Sequence, residues 1–234
     1  MSFSLIMGNK SNYFSQRDNE LCYVNGDYKV DWSCMCNVTA LCESLKIAGY
    51  SFPQGDYKQP EDNLANFILH SEKIDNLYLT RYPSLYKQWK AGSRTSYSPL
   101  EIHDLLSIGV NCWFNKTVDI FYTNMNINLI LNQVINNRIP VPTSVKFGSL
   151  NHIISITGAS WDNLDEEEAR VCNVKPDCIF YDDPYGRWDF RLNKYTEKDI
   201  LSGYCNRMSY SQFISSVKPL DSNSVKWAHI ICKK

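Results

Sequence analysis

The sequence predicts an α+β protein that forms one domain over residues 1–234. Segments whose apolar residues recur at helical spacing lie mainly in residues 1–137. Short runs rich in β-branched and aromatic residues lie mainly in residues 138–234. We therefore expect N-terminal helices packed on a C-terminal antiparallel sheet, in a chain of 234 residues that is long enough to bury a large core.

Composition excludes several classes of function. Lys and Arg number 24 and Asp and Glu number 25, so there is no excess positive charge for binding nucleic acid. Nine cysteines occur without any CxxC pair, which disfavours a zinc site. The first residues lack the layout of a signal peptide, and no apolar run reaches membrane-spanning length. We expect a cytoplasmic protein with free thiols, no membrane partner, no metal and no cofactor.

The first predicted helix carries the candidate nucleophile. Its apolar residues recur at helical spacing, at Val38, Leu41, Cys42, Leu45 and Ala48, and Gly49 follows where a helix ends in a left-handed residue. Cys34 and Cys36 lie just before or on the first turn. Free N–H groups and a partial positive charge favour thiolate over thiol at that position. The alternative is that these cysteines are small apolar core residues.

The remaining elements follow from periodicity and turn signals. Pro60 opens a helix that includes Leu64, Phe67, Ile68 and Ile74. Further predicted helices cover residues 98–106, 126–137 and 210–217, and predicted strands cover residues 139–147, 152–158, 178–181 and 225–232. Residues 148–151 predict a hairpin turn, and residues 162–170 predict a charged loop or short helix. Residues 1–35 are mixed and polar, with a predicted turn at Asn25-Gly26, and residues 78–97 form an aromatic and basic stretch without clear periodicity.

A cysteine nucleophile needs a base, and the chain has four histidines. His70 and His103 lie within predicted helices and His229 lies in the last strand, so a structural role is favoured for each. His152 instead opens a strand, and Asp183 follows the next one. If these strands pair antiparallel, the two side chains meet at one rim of the sheet. The alternative is that Asp183 only caps the turn that follows it.

Several short motifs occur along nearly the whole chain in a characteristic order. They are SQRDN at 15–19, CNVT at 36–39, QPED at 59–62, HII at 152–154, ITG at 156–158, DPYG at 183–186 and WAH at 227–229. In this order they resemble papain-like cysteine peptidases related to bacteriocin-leader-processing peptidases, in the branch common in bacteriophage and bacterial genomes.

The resemblance implies a papain-like fold and a role for each of four residues. Cys36 would be the nucleophile and His152 the general base that later protonates the leaving amine. Asp183 would orient the imidazole. Gln16 would donate its side-chain amide to the oxyanion, together with the backbone N–H of Cys36.

The sequence departs from the family pattern at three places. Gln16 lies twenty positions before Cys36, so an insertion must loop out between them. Asn151 precedes His152 where glycine is usual, and Asp182 replaces the common asparagine before Asp183. A second carboxylate there could raise the pKa of its neighbour or compete for the histidine.

The resemblance implies a cysteine peptidase or amide hydrolase that acts through a thioester on a peptide or peptidoglycan-type substrate. One alternative is acyl transfer, in which an amine replaces water. Another is an inactive papain-like fold that serves as a binding module. A metal site formed by Cys34, Cys36 and His152 is a further alternative, which the absence of a CxxC pair disfavours.

Overall fold

The computed structural model describes residues 2–20, 35–83, 99–171, 174–197, 199–217 and 226–232. The strands are β1 (Phe3–Ile6), β2 (Asp119–Asn124), β3 (Val141–Phe147), β4 (Leu150–Trp161), β5 (Cys178–Asp182), β6 (Arg187–Asp189), β7 (Lys194–Glu197), β8 (Asn206–Ser209) and β9 (Trp227–Cys232). The helices are α1 (Cys36–Ile47), α2 (Pro60–His70), α3 (Glu72–Arg81), α4 (Pro99–Trp113), α5 (Ile127–Ile135), α6 (Glu166–Val171) and α7 (Tyr210–Val217). These elements make a mixed helix and sheet protein, consistent with the predicted α+β class.

A seven-stranded sheet has the order β2-β9-β3-β4-β5-β8, and β1 pairs with the second half of β4. All of its strand pairs are antiparallel. Strands β6 and β7 form a separate two-stranded ribbon. The β1 pairing depends on Gly158, because a Cβ atom there would lie 2.0 Å from the carbonyl oxygen of Leu5. Only glycine lets the two backbones approach this closely.

Helices cover both faces of the sheet. Ser155 of β4 faces α1, since its hydroxyl donates to the carbonyl oxygen of Ala40 at 2.9 Å. Its neighbours Ile154 and Ile156 point to the other face, because successive side chains of a strand alternate. There they join a core with α5 and α7, represented by Ile130 and Phe213. A second apolar cluster joins α1, α2 and α4. The long strand β4 is therefore enclosed by helices.

The division into a helical first half and a sheet second half is only partly right. Strands β1 and β2 come from the first half of the chain, and α6 and α7 come from the second. The helix predicted from Pro60 through Ile74 is interrupted at Ser71, whose extended backbone separates α2 from α3. Strands β1, β6, β7 and β8 have only three or four residues each, too few for alternation to stand out in the sequence.

Several sequence predictions fall outside the described residues. They concern the turn at Asn25-Gly26, Cys34, Ser98 before α4, and residues 84–97 of the aromatic stretch. Within the described ranges, every helix is too short or too polar to cross a lipid bilayer.

Candidate active site

His152 and Asp183 meet at one rim of the sheet. Strands β4 and β5 pair antiparallel, with Ser155 opposite Asp182, so the beginning of β4 lies beside the end of β5. The Nε2 atom of His152 lies 2.7 Å from Oδ1 of Asp183. Both side chains are buried, Asp183 completely and His152 to all but 8% of its surface. The contact is thus a short hydrogen bond shielded from water.

Asp183 holds the histidine and also organises the turn behind it. Its Oδ1 accepts the backbone N–H of Tyr185 at 2.8 Å, which is the turn-capping role that the sequence left open. Its Oδ2 accepts the phenol of Tyr195 at 3.1 Å. The Tyr13 phenol donates to the backbone oxygen of Asp183 at 2.8 Å, and the backbone N–H of Asp183 donates to the carbonyl oxygen of Gly203 at 2.9 Å. The carboxylate is therefore fixed from several sides.

Cys36 is the first residue of α1, and its thiol is free and half-buried. The Cys36 sulfur lies close enough to the His152 ring to raise the pKa of the imidazole. Because Nε2 of that ring is engaged by Asp183, Nδ1 is the nitrogen left for the sulfur. Helix α1 is docked on β4 through Ser155, whose hydroxyl also lies 3.2 Å from that of Ser44. A rigid helix thus carries the thiol to the histidine.

The charges around His152 favour its protonated form. Burial on its own lowers the pKa of the imidazole, but the carboxylate of Asp183 and the sulfur of Cys36 outweigh burial and raise that pKa to about 10. Near neutral pH the His152 ring is therefore an imidazolium beside the carboxylate of Asp183.

Aromatic rings surround the histidine. The ring centroids of Tyr195, Tyr185 and Phe147 lie 6.2, 6.4 and 6.4 Å from that of His152. Trp188 stacks on Phe147 at 5.4 Å. Burial and then Asp183 raise the pKa of the Tyr195 phenol, so this group remains a hydrogen-bond donor. Sequence reasoning missed Tyr195, because the short ribbon that carries it shows no periodicity of its own.

Gln16 lies beside the turn that follows Asp183. It is fully buried, and its backbone N–H donates to the carbonyl oxygen of Pro184 at 3.0 Å. The adjacent Arg17 donates from Nε to the carbonyl oxygen of Tyr185 at 2.6 Å. The structure therefore brings Gln16 to the same rim as Asp183, although the two residues are far apart in sequence.

Asp182 does not compete for His152, contrary to one reading of the sequence. Consecutive residues of a strand point to opposite sides, so Asp182 faces α1 and forms a hydrogen bond with Glu43. The backbone N–H of Cys205 also donates to Asp182. Burial, followed by the charge of Asp182, raises the pKa of Glu43 well above its ordinary value, so Glu43 carries the proton of the pair. Sequence reasoning missed Glu43, because it lies on the side of α1 opposite the predicted apolar face, where a charged residue is expected to face solvent.

His70 and His229 do not join this site. His70 is exposed at the end of α2. His229 is buried, 3.4 Å from the hydroxyl of Ser107, and burial lowers the pKa of its ring to about 3. Within the described ranges, which exclude Cys34, no three His, Cys, Asp or Glu residues are grouped so as to bind a metal ion. The side chain of His103 is not among those described.

Comparisons with protein-family models, with curated proteins and with solved structures find no match to this chain. Support for a function therefore comes from the geometry around Cys36 and from the motif resemblance.

Proposed function

We propose that this protein is a papain-like cysteine amide hydrolase in which Cys36, His152 and Asp183 form a catalytic triad. One observation carries the proposal. A half-buried thiol at the start of α1 lies beside a histidine, whose pKa it raises, and Nε2 of that histidine lies 2.7 Å from a fully buried carboxylate. A nucleophile, a base and an orienting acid in contact are what covalent amide cleavage requires.

The first step forms a thioester. The Cys36 thiolate attacks the carbonyl carbon of the amide, and the electron pair of the carbonyl moves to oxygen. Gln16 and the backbone N–H of Cys36 stabilise that oxyanion. The oxyanion then collapses, the C–N bond breaks, and the His152 imidazolium gives its proton to the departing amine.

The second step releases the acid. Neutral His152 accepts a proton from water as the water oxygen attacks the thioester carbonyl carbon. Collapse of the second oxyanion breaks the C–S bond and restores the thiolate–imidazolium pair. Asp183 holds the ring in one orientation through both steps, and Tyr195 holds the second oxygen of Asp183. The substrate class follows from the resemblance and is a peptide or a peptidoglycan-type peptide.

Limiting iodoacetamide followed by peptide mass mapping tests the nucleophile. We expect Cys36 to react well before Cys205, which has a similar partial exposure and serves as the internal control. His152→Ala should remove this preference, because the imidazolium that stabilises the thiolate is lost. Equal labelling of both cysteines in the native protein would contradict the triad and favour an inactive fold.

A second measurement identifies the reaction. The native protein and Cys36→Ala are incubated with a mixture of unblocked peptides and with peptidoglycan stem peptides, and the products are weighed by mass spectrometry. Hydrolysis adds the mass of one water across the broken amide, whereas an added amine would identify acyl transfer. We expect water-derived products from the native protein and none from Cys36→Ala.

A further inference from the structure

Residues 15–20, which we call the Gln16 loop, are held on two sides. On the first side, these residues lie against the turn that comes after Asp183. The backbone N–H of Gln16 donates to Pro184 at 3.0 Å, and the Arg17 guanidinium lies 4.1 Å from the centre of the Tyr185 ring. These contacts tie the loop to the turn that follows Asp183.

On the second side, the Gln16 loop is fastened to the beginning of α2. The side-chain amide of Gln59 donates to Oδ2 of Asp18 at 3.0 Å. The backbone N–H of Glu20 donates to Oδ2 of Asp62 at 2.7 Å. The Asn19 side chain adds a further link. With its amide nitrogen turned towards both acceptors, it donates to the backbone oxygen of Ser15 and to the carboxyl group of Glu61.

The carboxylate of Asp62 is unusual for its position. Acidic residues in a first helical turn ordinarily remain near solvent and complement the dipole of their own helix. Asp62 is fully buried, and burying a carboxylate is costly unless hydrogen bonds compensate for lost water. One of its oxygens accepts from a different segment, the end of the Gln16 loop. The first turn of α2 is therefore built to hold that loop.

We propose that Gln59 and Asp62 are positioning residues for Gln16, and that they keep its amide at the oxyanion of the acyl-transfer step. This inference rests on the proposed function. Gln16 precedes Cys36 by twenty positions, so the connecting chain does not by itself locate the amide beside the thiol. Contacts from the side must do so, because an oxyanion donor works only within a few tenths of an ångström of its proper distance.

Two reagents separate positioning of the oxyanion donor from general damage to the site. Iodoacetamide alkylates the Cys36 thiolate by displacing iodide from a saturated carbon, so no oxyanion forms. p-Nitrophenyl acetate acetylates the same thiolate through a tetrahedral oxyanion, with release of p-nitrophenolate. The ratio of the acetylation rate to the alkylation rate at Cys36 therefore reports the oxyanion donor alone.

We expect Gln16→Ala to lower this ratio about 100-fold, and Asp62→Ala and Gln59→Ala to lower it about tenfold. Asp62→Asn keeps an oxygen that can accept the N–H of Glu20, so it should restore the ratio to near the native value. Glu72→Ala removes an exposed carboxylate from the first turn of α3 and is the matched control. In the Gln16→Ala background, Gln59→Ala should have no further effect on the ratio.

The outcomes are distinct. If Cys36 of the native protein is no more reactive towards iodoacetamide than Cys205, the proposed function itself fails. If Cys36 is reactive but Gln59→Ala and Asp62→Ala leave the ratio unchanged, the positioning role is wrong and the triad stands. If Asp62→Ala does not fold, Gln59→Ala decides, because the half-buried Gln59 side chain contacts the loop directly.

Discussion

His152 takes its chemical character from the groups on either side of its ring. Burial alone would leave the imidazole neutral, as it does for His229, whose pKa is lowered to about 3. At His152 the carboxylate of Asp183 and the sulfur of Cys36 reverse that effect. Two buried histidines of one protein therefore have opposite charge states near neutral pH, because the acidic groups beside His152 outweigh burial, whereas burial dominates at His229.

Substitutions at the triad should differ in severity. His152→Ala should slow iodoacetamide alkylation of Cys36 at neutral pH about 100-fold, because the group that takes the proton of the thiol is lost. Asp183→Asn should slow it only about tenfold, since the amide oxygen still accepts from Nε2 and a thiolate–imidazolium pair depends less on its third member. The exposed His70 supplies the control, His70→Ala, which should react like the native protein. Circular dichroism checks that each variant is folded, and a native rate for His152→Ala would contradict the assignment.

The charge of His152 should persist far into the alkaline range. Its folded pKa of about 10 lies above the ordinary value of 6.5. The stability contributed by the imidazolium is therefore complete below about pH 6.5 and is lost as the pH rises through about 10. Nitrogen NMR of the rings should show His152 doubly protonated at pH 8 and His229 neutral. In Asp183→Asn the His152 transition should move to lower pH; an unchanged transition would show that Asp183 does not hold the proton in place.

At the scale of elements, α1 is joined to β5 by a pair of buried carboxyl groups. Glu43 carries the proton and donates a hydrogen bond to Asp182. The hydroxyl oxygen of Ser155 also lies 3.4 Å from Oε2 of Glu43. The pair lies between the helix that begins with Cys36 and the strand that leads to Asp183. It therefore helps to set the relative position of the nucleophile and the orienting acid.

Removal of this donor should destabilise the protein. Glu43→Ala would leave the buried Asp182 without its side-chain donor, and we expect the free energy of unfolding to fall by about 3 kcal/mol. Glu43→Gln retains an N–H donor and should cost less than about 1 kcal/mol. Urea unfolding measures both, with the exposed Lys46→Ala on the same helix as control. Equal losses for the two Glu43 variants would mean that packing, and not the hydrogen bond, is what matters.

The first turn of α2 should make stability depend on pH. Burial raises the pKa of Glu61 to about 8 from its ordinary value of 4.5, and the charges of Asp62 and Asp18 add to the effect. The folded state thus keeps a proton that the unfolded state releases between these values. The free energy of unfolding should therefore fall as pH rises through this window, by at most about 1.4 kcal/mol per pH unit. Glu61→Gln should remove this contribution from the dependence measured by urea unfolding at pH 5 and pH 8 and leave those of Glu43 and His152, while Glu72→Gln should leave the full dependence.

At the scale of the whole molecule, the sheet joins two apolar clusters. Ile230 of β9 belongs to the cluster with α5 and α7, and the next residue, Ile231, belongs to the cluster with α1, α2 and α4. One strand therefore contributes to both cores. Loss of packing in one cluster also disturbs the strand on which the other cluster packs.

The protein should unfold in a single transition. Trp161 reports on the first cluster and Trp113 on the second. If the sheet couples the clusters, tryptophan emission and far-ultraviolet circular dichroism should give the same midpoint in urea. In each of the variants Trp161→Phe and Trp113→Phe, tryptophan emission and far-ultraviolet circular dichroism should again give one shared midpoint, even if the substitution itself shifts that midpoint. Two separate transitions would contradict the one-domain prediction for residues 1–234.

The sequence by itself was enough to place α1, α5 and the central strands, whereas α4 runs to Trp113 and not, as predicted, to residue 106. The apolar periodicity of α1 and α5 and the hairpin of β3 and β4 are local patterns, since each residue's environment depends on neighbours within one or two turns or on the adjacent strand. The predicted helix over residues 210–217 matches α7, Tyr210–Val217. The juxtaposition of His152 with Asp183 also followed, because antiparallel pairing of two consecutive strands leaves little freedom at their shared rim.

Only the tertiary structure decided which groups meet across distant parts of the chain. Tyr195 reaches Asp183, Glu43 reaches Asp182, and Asp62 reaches Glu20 through contacts that no local pattern encodes. A carboxyl group or phenol in a sequence looks the same whether it faces water or a buried partner. Its pKa and its role depend on desolvation and on neighbouring charges, which exist only once the chain has folded.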